Sequence, residues 1–320
     1  MKILVTGATG FIGKNLVEFL SKPENEIDCL IRKTSDTSFL KKHKVKLIKG
    51  DLNDKNSLKL GRYNIVYHLA GAVGSKGYGH YDETNFKGTI NLIESLEGLD
   101  KFIYLSSGSA FGDSDKIINE EMESNPCSDY GKSKRNIESH LLKMAEKGFP
   151  VIILRPPIVY GEHDDVKRDL SMLKLIKLVT RGNYFTIKNS GETRKSLCYV
   201  KNLVEAIELA GKSEKKGEVY FISDSSPSLD ELAKQIAEIE NIDLKKKNLS
   251  IELLENYAKL NEKIFGESAD LNTRVIKGML TTWICDSSKA KKELGWKPKH
   301  DLKKSLKNTI NWYKNAGILK

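Results

Sequence analysis

Cysteine is scarce and scattered: Cys29, Cys127, Cys198 and Cys285 are the only four in 320 residues. Their wide separation offers neither metal-ligand spacing nor a disulfide framework. They read as reduced thiols of a cytoplasmic protein, and no metal site is expected. No apolar run reaches the ~18 residues that a membrane-spanning helix needs. The opening segment Met1–Gly7 carries too short an apolar stretch for a signal peptide and reads as a buried strand. Basic side chains are not gathered into an aromatic-studded stripe, which argues against a nucleic-acid groove binder. No internal repeat and no low-complexity linker is present, so any second domain is expected to interleave with the first.

The chain has 39% hydrophobic and 30% charged residues, with a net charge of +10. At 36.0 kDa it is long enough for one large domain and a smaller companion. Most of the excess charge is lysine, interleaved with Asp and Glu on presumed loops and helix faces, where it solubilises. The same field also attracts a phosphorylated small molecule.

Short apolar runs alternate with amphipathic segments through the first half, the pattern of repeated βα units around a parallel sheet. Strands are predicted at Lys2–Val5, Ile27–Ile31, Val45–Lys49, Ile65–Leu69, Lys101–Ser106 and Val151–Leu154. They are apolar on both faces, as helix-covered strands must be. Helices are predicted at Gly13–Leu20, Asn85–Leu96 and Tyr130–Lys147. The second half gives helices at Leu170–Thr180 and Asn202–Ala210, an extended Tyr184–Ile187, and a strand at Val219–Ile222 that returns to the sheet. Ser228 and Glu231 form a capping box. Asp243–Thr282 reads as helical, and Asp301–Asn315 as a closing amphipathic helix. The expected fold is α/β, a doubly wound parallel Rossmann sheet with a smaller, interleaved α/β C-terminal substrate domain. Residues 1–160, with a returning segment at about 192–225, would form the first domain. Residues 161–191 and 226–320 would form the second.

Thr6-Gly7-Ala8-Thr9-Gly10-Phe11-Ile12-Gly13 joins the first strand directly to a helix. Glycines allow a tight turn and a close backbone approach to a pyrophosphate, which the helix N-terminus then favours. Gly7, Thr9, Gly10, Phe11, Ile12 and Gly13 are therefore candidate dinucleotide-binding residues, although the spacing is Gly-x-x-Gly-x-x-Gly. The second strand lacks the terminal acid that would accept hydrogen bonds from an NAD ribose. Asp28 lies too early, and Arg32-Lys33 follow instead. Two cations there suit the 2′-phosphate of NADP, or are simply surface charges, and NAD remains possible. Asp51 and Leu52 are placed to hold adenine. Leu69, Ala70 and Gly71 would line the cofactor, beside a packed rather than catalytic His68.

A Tyr-x-x-x-Lys pair means little alone in a chain with 12 Tyr and 53 Lys plus Arg, and the sequence holds two. Position favours Tyr130/Lys134 over Tyr184/Lys188. Ser107 ends the preceding strand, the glycine loop opens the chain, and Arg155-Pro156-Pro157 follows the next strand.

Together these segments resemble the extended short-chain dehydrogenase/reductase family, the group of nucleotide-sugar epimerases and dehydratases. The resemblance rests on Thr6–Gly13, Asp51-Leu52, His68–Gly71, Asn85, Tyr104–Ser107, Tyr130/Lys134, Leu154–Pro156 and Val159–Gly161. It continues through Asp286–Ala290 and Glu293–Pro298, in order over nearly the whole chain. Arg32–Asp36 is also similar to a branch near the dihydroflavonol reductases and 3β-hydroxysteroid dehydrogenases. The resemblance implies Tyr130 as acid/base, with Lys134 lowering its pKa through an adjacent positive charge. Ser107, five residues before Gly112, would donate to the substrate oxygen. Ser106 and Pro157 would touch the cofactor, and Gly108 the substrate. Asn85 either holds the loop near the lysine or merely starts a helix.

The dehydratases of the family carry an Asp-Glu pair where this chain has Gly108-Ser109, which argues against water elimination. Epimerisation of a nucleotide sugar is the leading expectation, and NADPH-dependent carbonyl reduction the alternative. A cofactor-sensing regulator is disfavoured because Ser, Tyr and Lys all persist. Arg194 and Lys195 are both candidates for the substrate's phosphate, with the register uncertain by one and Asn202 in place of the usual acid. Lys201 and Arg155 read as structural or surface charges. The resemblance further implies a homodimer paired through the tyrosine helix.

Overall fold

The computed structural model describes residues 1–73, 77–163, 171–187, 192–265 and 273–319. Leu170 and Lys188, named above, lie outside the described residues. Along the chain run β1 (Lys2–Thr6), α1 (Phe11–Leu20), β2 (Glu26–Ile31), β3 (Lys46–Lys49), β4 (Arg62–His68), α2 (Gly77–Tyr81), α3 (Gly88–Glu94), β5 (Gly98–Leu105), α4 (Asp129–Ala145) and β6 (Val151–Arg155). The chain continues with β7 (Ile158–Tyr160), α5 (Ser171–Thr180), β8 (Phe185–Ile187), β9 (Leu197–Tyr199), α6 (Val200–Lys212) and β10 (Glu218–Phe221). It closes with α7 (Leu229–Glu240), β11 (Lys247–Leu249), α8 (Ile251–Phe265), α9 (Thr273–Leu280), α10 (Ser288–Glu293) and α11 (Leu302–Asn315).

Seven strands form one sheet in the order β10-β6-β5-β4-β1-β2-β3. Every neighbouring pair is parallel. Alternation explains how the sheet is covered on both faces. Ile3 and Val5 of β1 point into a cluster with Leu16 of α1 and Ile207 of α6, and Trp296 seals it. Leu4 between them points to the other face, among Phe102 and Tyr104 of β5 and Ile137 and Leu141 of α4. The strand order reverses between β1 and β4, which opens a crevice at the carboxyl ends of the strands, the usual ligand position in such sheets.

The second half adds two small parallel pairs, β7 with β9 and β11 with β8. β10 rejoins the main sheet beside β6, as the sequence predicts. α11 packs Leu306, Ile310 and Tyr313 into a core with α5 and α7. β7, β9 and α10 are not predicted from the sequence, and two further segments differ from the sequence reading. The predicted helix Asn85–Leu96 begins inside a π-helical turn over Asp82–Lys87, which follows α2, and continues as α3. Within 243–282 the lysine-rich stretch hides β11, whose pairing with β8 is a tertiary contact that local pattern does not encode.

Candidate active site

The glycine loop is pressed between β1, β4 and α1. Gly7 has φ +70°, and a Cβ there would lie 2.7 Å from the Ala70 nitrogen. At Gly13 a Cβ would lie 2.1 Å from the Gly7 carbonyl oxygen, so α1 sits directly on the turn. Gly10 serves as N-cap of α1 and has no side chain to cap this end. Backbone N–H groups thus remain for an anion. Thr9 and Ile12 are half-buried beside this turn. Phe11 turns its ring into the core with Tyr160 and Met172, which leaves only its backbone for a ligand.

His68 ends β4 and organises the adjoining loop. Its Nδ1 lies 2.6 Å from Thr6 Oγ1 and its Nε2 lies 2.8 Å from Thr89 Oγ1. Thr89 donates to the Asn85 carbonyl and Thr6 accepts from the Ala70 N–H. These directions assign a neutral ring with the proton on Nε2. Burial, with Lys134 nearby, lowers its pKa to about 3. Leu69, Ala70 and Gly71 are held in place by this chain. Asn85, inside the π-helical turn, accepts from the Ala72 N–H at 2.7 Å and donates to Ser133 Oγ at 3.3 Å. Asn85 thus links the loop after β4 to α4.

Lys134 is buried on α4. Its Nζ donates to the Leu105 carbonyl at 2.9 Å and to the Tyr104 hydroxyl at 3.2 Å. A Cβ on Gly71 would lie 3.6 Å from that Nζ, so the ammonium faces the loop after β4. Desolvation lowers its pKa from the ordinary lysine value to about 8, with Glu138 opposing. Tyr130, one turn earlier, is half-buried. Its ring packs edge-on against Tyr81 at 5.7 Å between centroids.

Ser107 caps the short turn Gly108–Ala110 by accepting from the Ser109 N–H. A Cβ at Gly131 would lie 2.2 Å from the Ser109 carbonyl, so the first turn of α4 rests on this serine turn. Tyr130 and Ser107 are thereby carried on two elements in direct contact. Ser106 Oγ is buried without a hydrogen-bond partner among the described residues. Pro157 is half-buried, and the preceding Pro156 accepts from the Gly108 N–H at 2.8 Å.

Other candidates separate. Arg32 and Lys33 follow β2, exposed, and neither forms an ion pair with a described residue. Asp28 is buried and accepts from Tyr63. Asp51 is tied into its own turn by Ser57 and Asn53. Asn91 holds the Leu52 carbonyl. Arg194 makes two hydrogen bonds to Glu231 and one to the Ser226 carbonyl, so it is committed to the cap of α7. Lys195 is half-buried, and desolvation lowers its pKa against the pull of Asp113. Asn202 is structural, bridging Asp224 and the backbone at Lys299 and His300. Arg155 is a buried structural charge, paired with Glu138. Lys201 lies 3.2 Å from Glu162.

Two residues near these candidates were not read from sequence. Trp283 places its ring against Gly108 and donates from Nε1 to the Gly112 carbonyl at 2.8 Å. It pairs through an isolated bridge with Lys195. Tyr81 is the other. Neither carries a local signal beyond being a large aromatic.

The sequence pattern of the NAD dependent epimerase/dehydratase family matches residues 3–223. The chain belongs to this family. Its fold and motifs place it in the extended short-chain dehydrogenase/reductase group, and the family is one of NAD-dependent enzymes. The UDP-glucose 4-epimerase of Vibrio cholerae is 28% identical, covering 98% of this chain and 96% of the relative. The dTDP-D-glucose 4,6-dehydratase of Homo sapiens is also 28% identical, covering 98% and 90%. Among solved structures, the Bacillus cereus UDP-glucuronic acid 4-epimerase in complex with UDP-glucuronic acid and NAD is 25% identical. It has a TM-score of 0.75 and covers 99% of this chain and 100% of that one. Among the described residues no helix is long and apolar enough to cross a membrane.

The residues present fit a dinucleotide. Backbone packing at Gly7 and Gly13 sets the turn against the N-terminus of α1, and Ser106, just after β5, has a buried hydroxyl without a partner among the described residues.

Proposed function

We propose that the protein epimerises a nucleotide sugar, with Tyr130 moving the proton of the oxidised hydroxyl. One observation carries this reading: the Lys134 ammonium is buried one helical turn from Tyr130, on a helix that rests on the Ser107 turn. An unperturbed phenol titrates near pKa ~10, too high for a base at neutral pH. A fixed ammonium in a desolvated site favours phenolate and brings Tyr130 towards working range. Ser107 donates to the substrate oxygen and aligns it. A bound dinucleotide supplies the hydride acceptor and donor. Gly7, Thr9, Gly10, Ile12 and Gly13 would hold its pyrophosphate, Asp51 and Leu52 its adenine, and Leu69 to Gly71, Ser106 and Pro157 its nicotinamide half.

Gly108 and Ser109 carry no carboxyl, and Trp283 covers Gly108, which supports epimerisation over water elimination. Lys195 is the better phosphate partner, because Arg194 is already paired with Glu231. Arg32 and Lys33 are exposed, form no ion pair with a described residue and can meet a 2′-phosphate, which supports NADP as the preferred dinucleotide. Pairing of two copies through α4 belongs to the same reading and is tested by light scattering.

The experiment is a panel of UDP- and dTDP-hexoses and uronic acids with each dinucleotide, followed by proton NMR at the sugar ring. Appearance of the epimer, and its loss by about 10²-fold or more in Tyr130→Phe, is the expected result. Full activity in that variant, or consumption of the reduced dinucleotide without epimer, defeats the proposal.

A further inference from the structure

Tyr104 lies on β5 with its ring on the α4 face of the sheet, 1% exposed. Phe102, two residues earlier, fills the same face with a plain phenyl ring. Packing alone therefore asks for no hydroxyl at Tyr104, and burying one without a partner is costly. The Tyr104 hydroxyl accepts from Lys134 Nζ at 3.2 Å. Together with the Leu105 carbonyl at 2.9 Å it takes two of the three ammonium donors. The third remains for the space beside Gly71, with no acceptor among the described residues.

We propose that Tyr104 is a positioning residue for the proton-transfer pair, its hydroxyl fixing the Lys134 ammonium in place and stabilising its charged form. This rests on the roles given above to Tyr130 and Lys134. Tyr104 acts through Lys134 and does not touch substrate. Burial raises the Tyr104 phenol well above its ordinary range, so it stays a neutral acceptor throughout the working pH.

The groups facing the ammonium come from every element around it. β5 gives Tyr104, and α4 gives Glu138, with Tyr130 one helical turn before the lysine. β4 gives the neutral His68, and β6 gives Arg155, whose charge is spent on Glu138. Tyr81 of α2 backs Tyr130. Glu138 favours the protonated lysine, but Arg155 occupies both its oxygens. That leaves the Tyr104 hydroxyl and the Leu105 carbonyl as the direct acceptors, and only the hydroxyl is removable by substitution.

The test is Tyr104→Phe, which keeps the ring and removes one oxygen. In ligand-free protein carrying 13C-ε-lysine, the Lys134 signal is identified by its absence in Lys134→Met and titrated by NMR. Its midpoint should fall by about one pH unit, the scale of one charge-assisted hydrogen bond. The alkaline limb of kcat/KM should move down with it, a loss approaching about tenfold above the original midpoint. An unchanged Lys134 midpoint overturns the positioning role, and so does a change in melting temperature with both midpoints unmoved. Wild-type turnover by Lys134→Met would instead sink the epimerase reading, and with it any catalytic purpose for the Tyr104 hydroxyl.

Discussion

The Trp283 indole lies so close to Gly108 that a Cβ on the glycine would meet its Cη2 at 2.5 Å. Trp283 is held from the other side by its Nε1 bond to the Gly112 carbonyl. The serine turn therefore has a fixed ceiling supplied by a residue far along the chain. Gly108→Ala must tilt the indole or displace the turn that carries Ser107. A misplacement of about 1 Å costs on the order of 10² in rate. We expect kcat/KM to fall by about that factor while the melting temperature shifts only slightly, measured by steady-state kinetics and thermal unfolding on the same preparation.

Lys134 gives a pH dependence with two opposite signs. Burial lowers its pKa to about 8 from the ordinary value of 10.5. Above about 8 the folded protein loses the positive charge beside Tyr130, so kcat/KM should decline through that pH. Stability moves the other way. Between about 8 and 10.5 the unfolded chain holds a proton that the folded chain has released. The lysine's contribution to stability therefore improves as pH rises across that window. Lys134→Met should abolish both trends, read from pH–rate profiles and from urea unfolding at several pH values.

Cofactor preference turns on the end of β2. Arg32 is exposed and forms no ion pair with a described residue, so its charge is available to a 2′-phosphate. Arg32→Asp should lower NADP affinity by about 10-fold or more through loss of a charge-assisted contact and gain of repulsion. The same aspartate can accept from a ribose hydroxyl, so NAD affinity should hold or rise. Fluorescence titration of both dinucleotides checks this, and an unchanged ratio would remove the case for NADP.

Much of the sheet was legible because its strands are buried on both faces, which writes an unbroken apolar run into the sequence. Val151–Arg155, buried at every position, is the clearest instance. The glycine loop was legible because steric need for glycine is local. Trp283 was not, since its place above Gly108 depends on bridges to Lys195 and Arg194 nearly ninety residues away. The same is true of Arg194 and Lys195. Sequence left their register open, and the pairing of Arg194 with Glu231, a contact made only in the folded chain, could not be read from it. The π-helical turn at Asn85 was missed because helical periodicity does not distinguish one extra residue per turn.

Stability offers a prediction independent of the chemistry. Arg155 donates to Glu138 from Nε at 2.9 Å and from Nη2 at 2.7 Å, and the carboxylate is 0% exposed. Two buried charges in this bidentate geometry offset each other's desolvation, but each alone is expensive. Glu138→Ala leaves the guanidinium buried without a counter-ion, against the Phe221 ring. It should destabilise the fold by about 3–5 kcal/mol. Replacing both partners by apolar residues, Glu138→Leu with Arg155→Met, removes both charges together and should cost much less. Denaturant unfolding of the single and double variants measures the difference. A double variant as unstable as the single would mean that the pair's geometry, rather than the relief of a lone buried charge, holds α4 against β6.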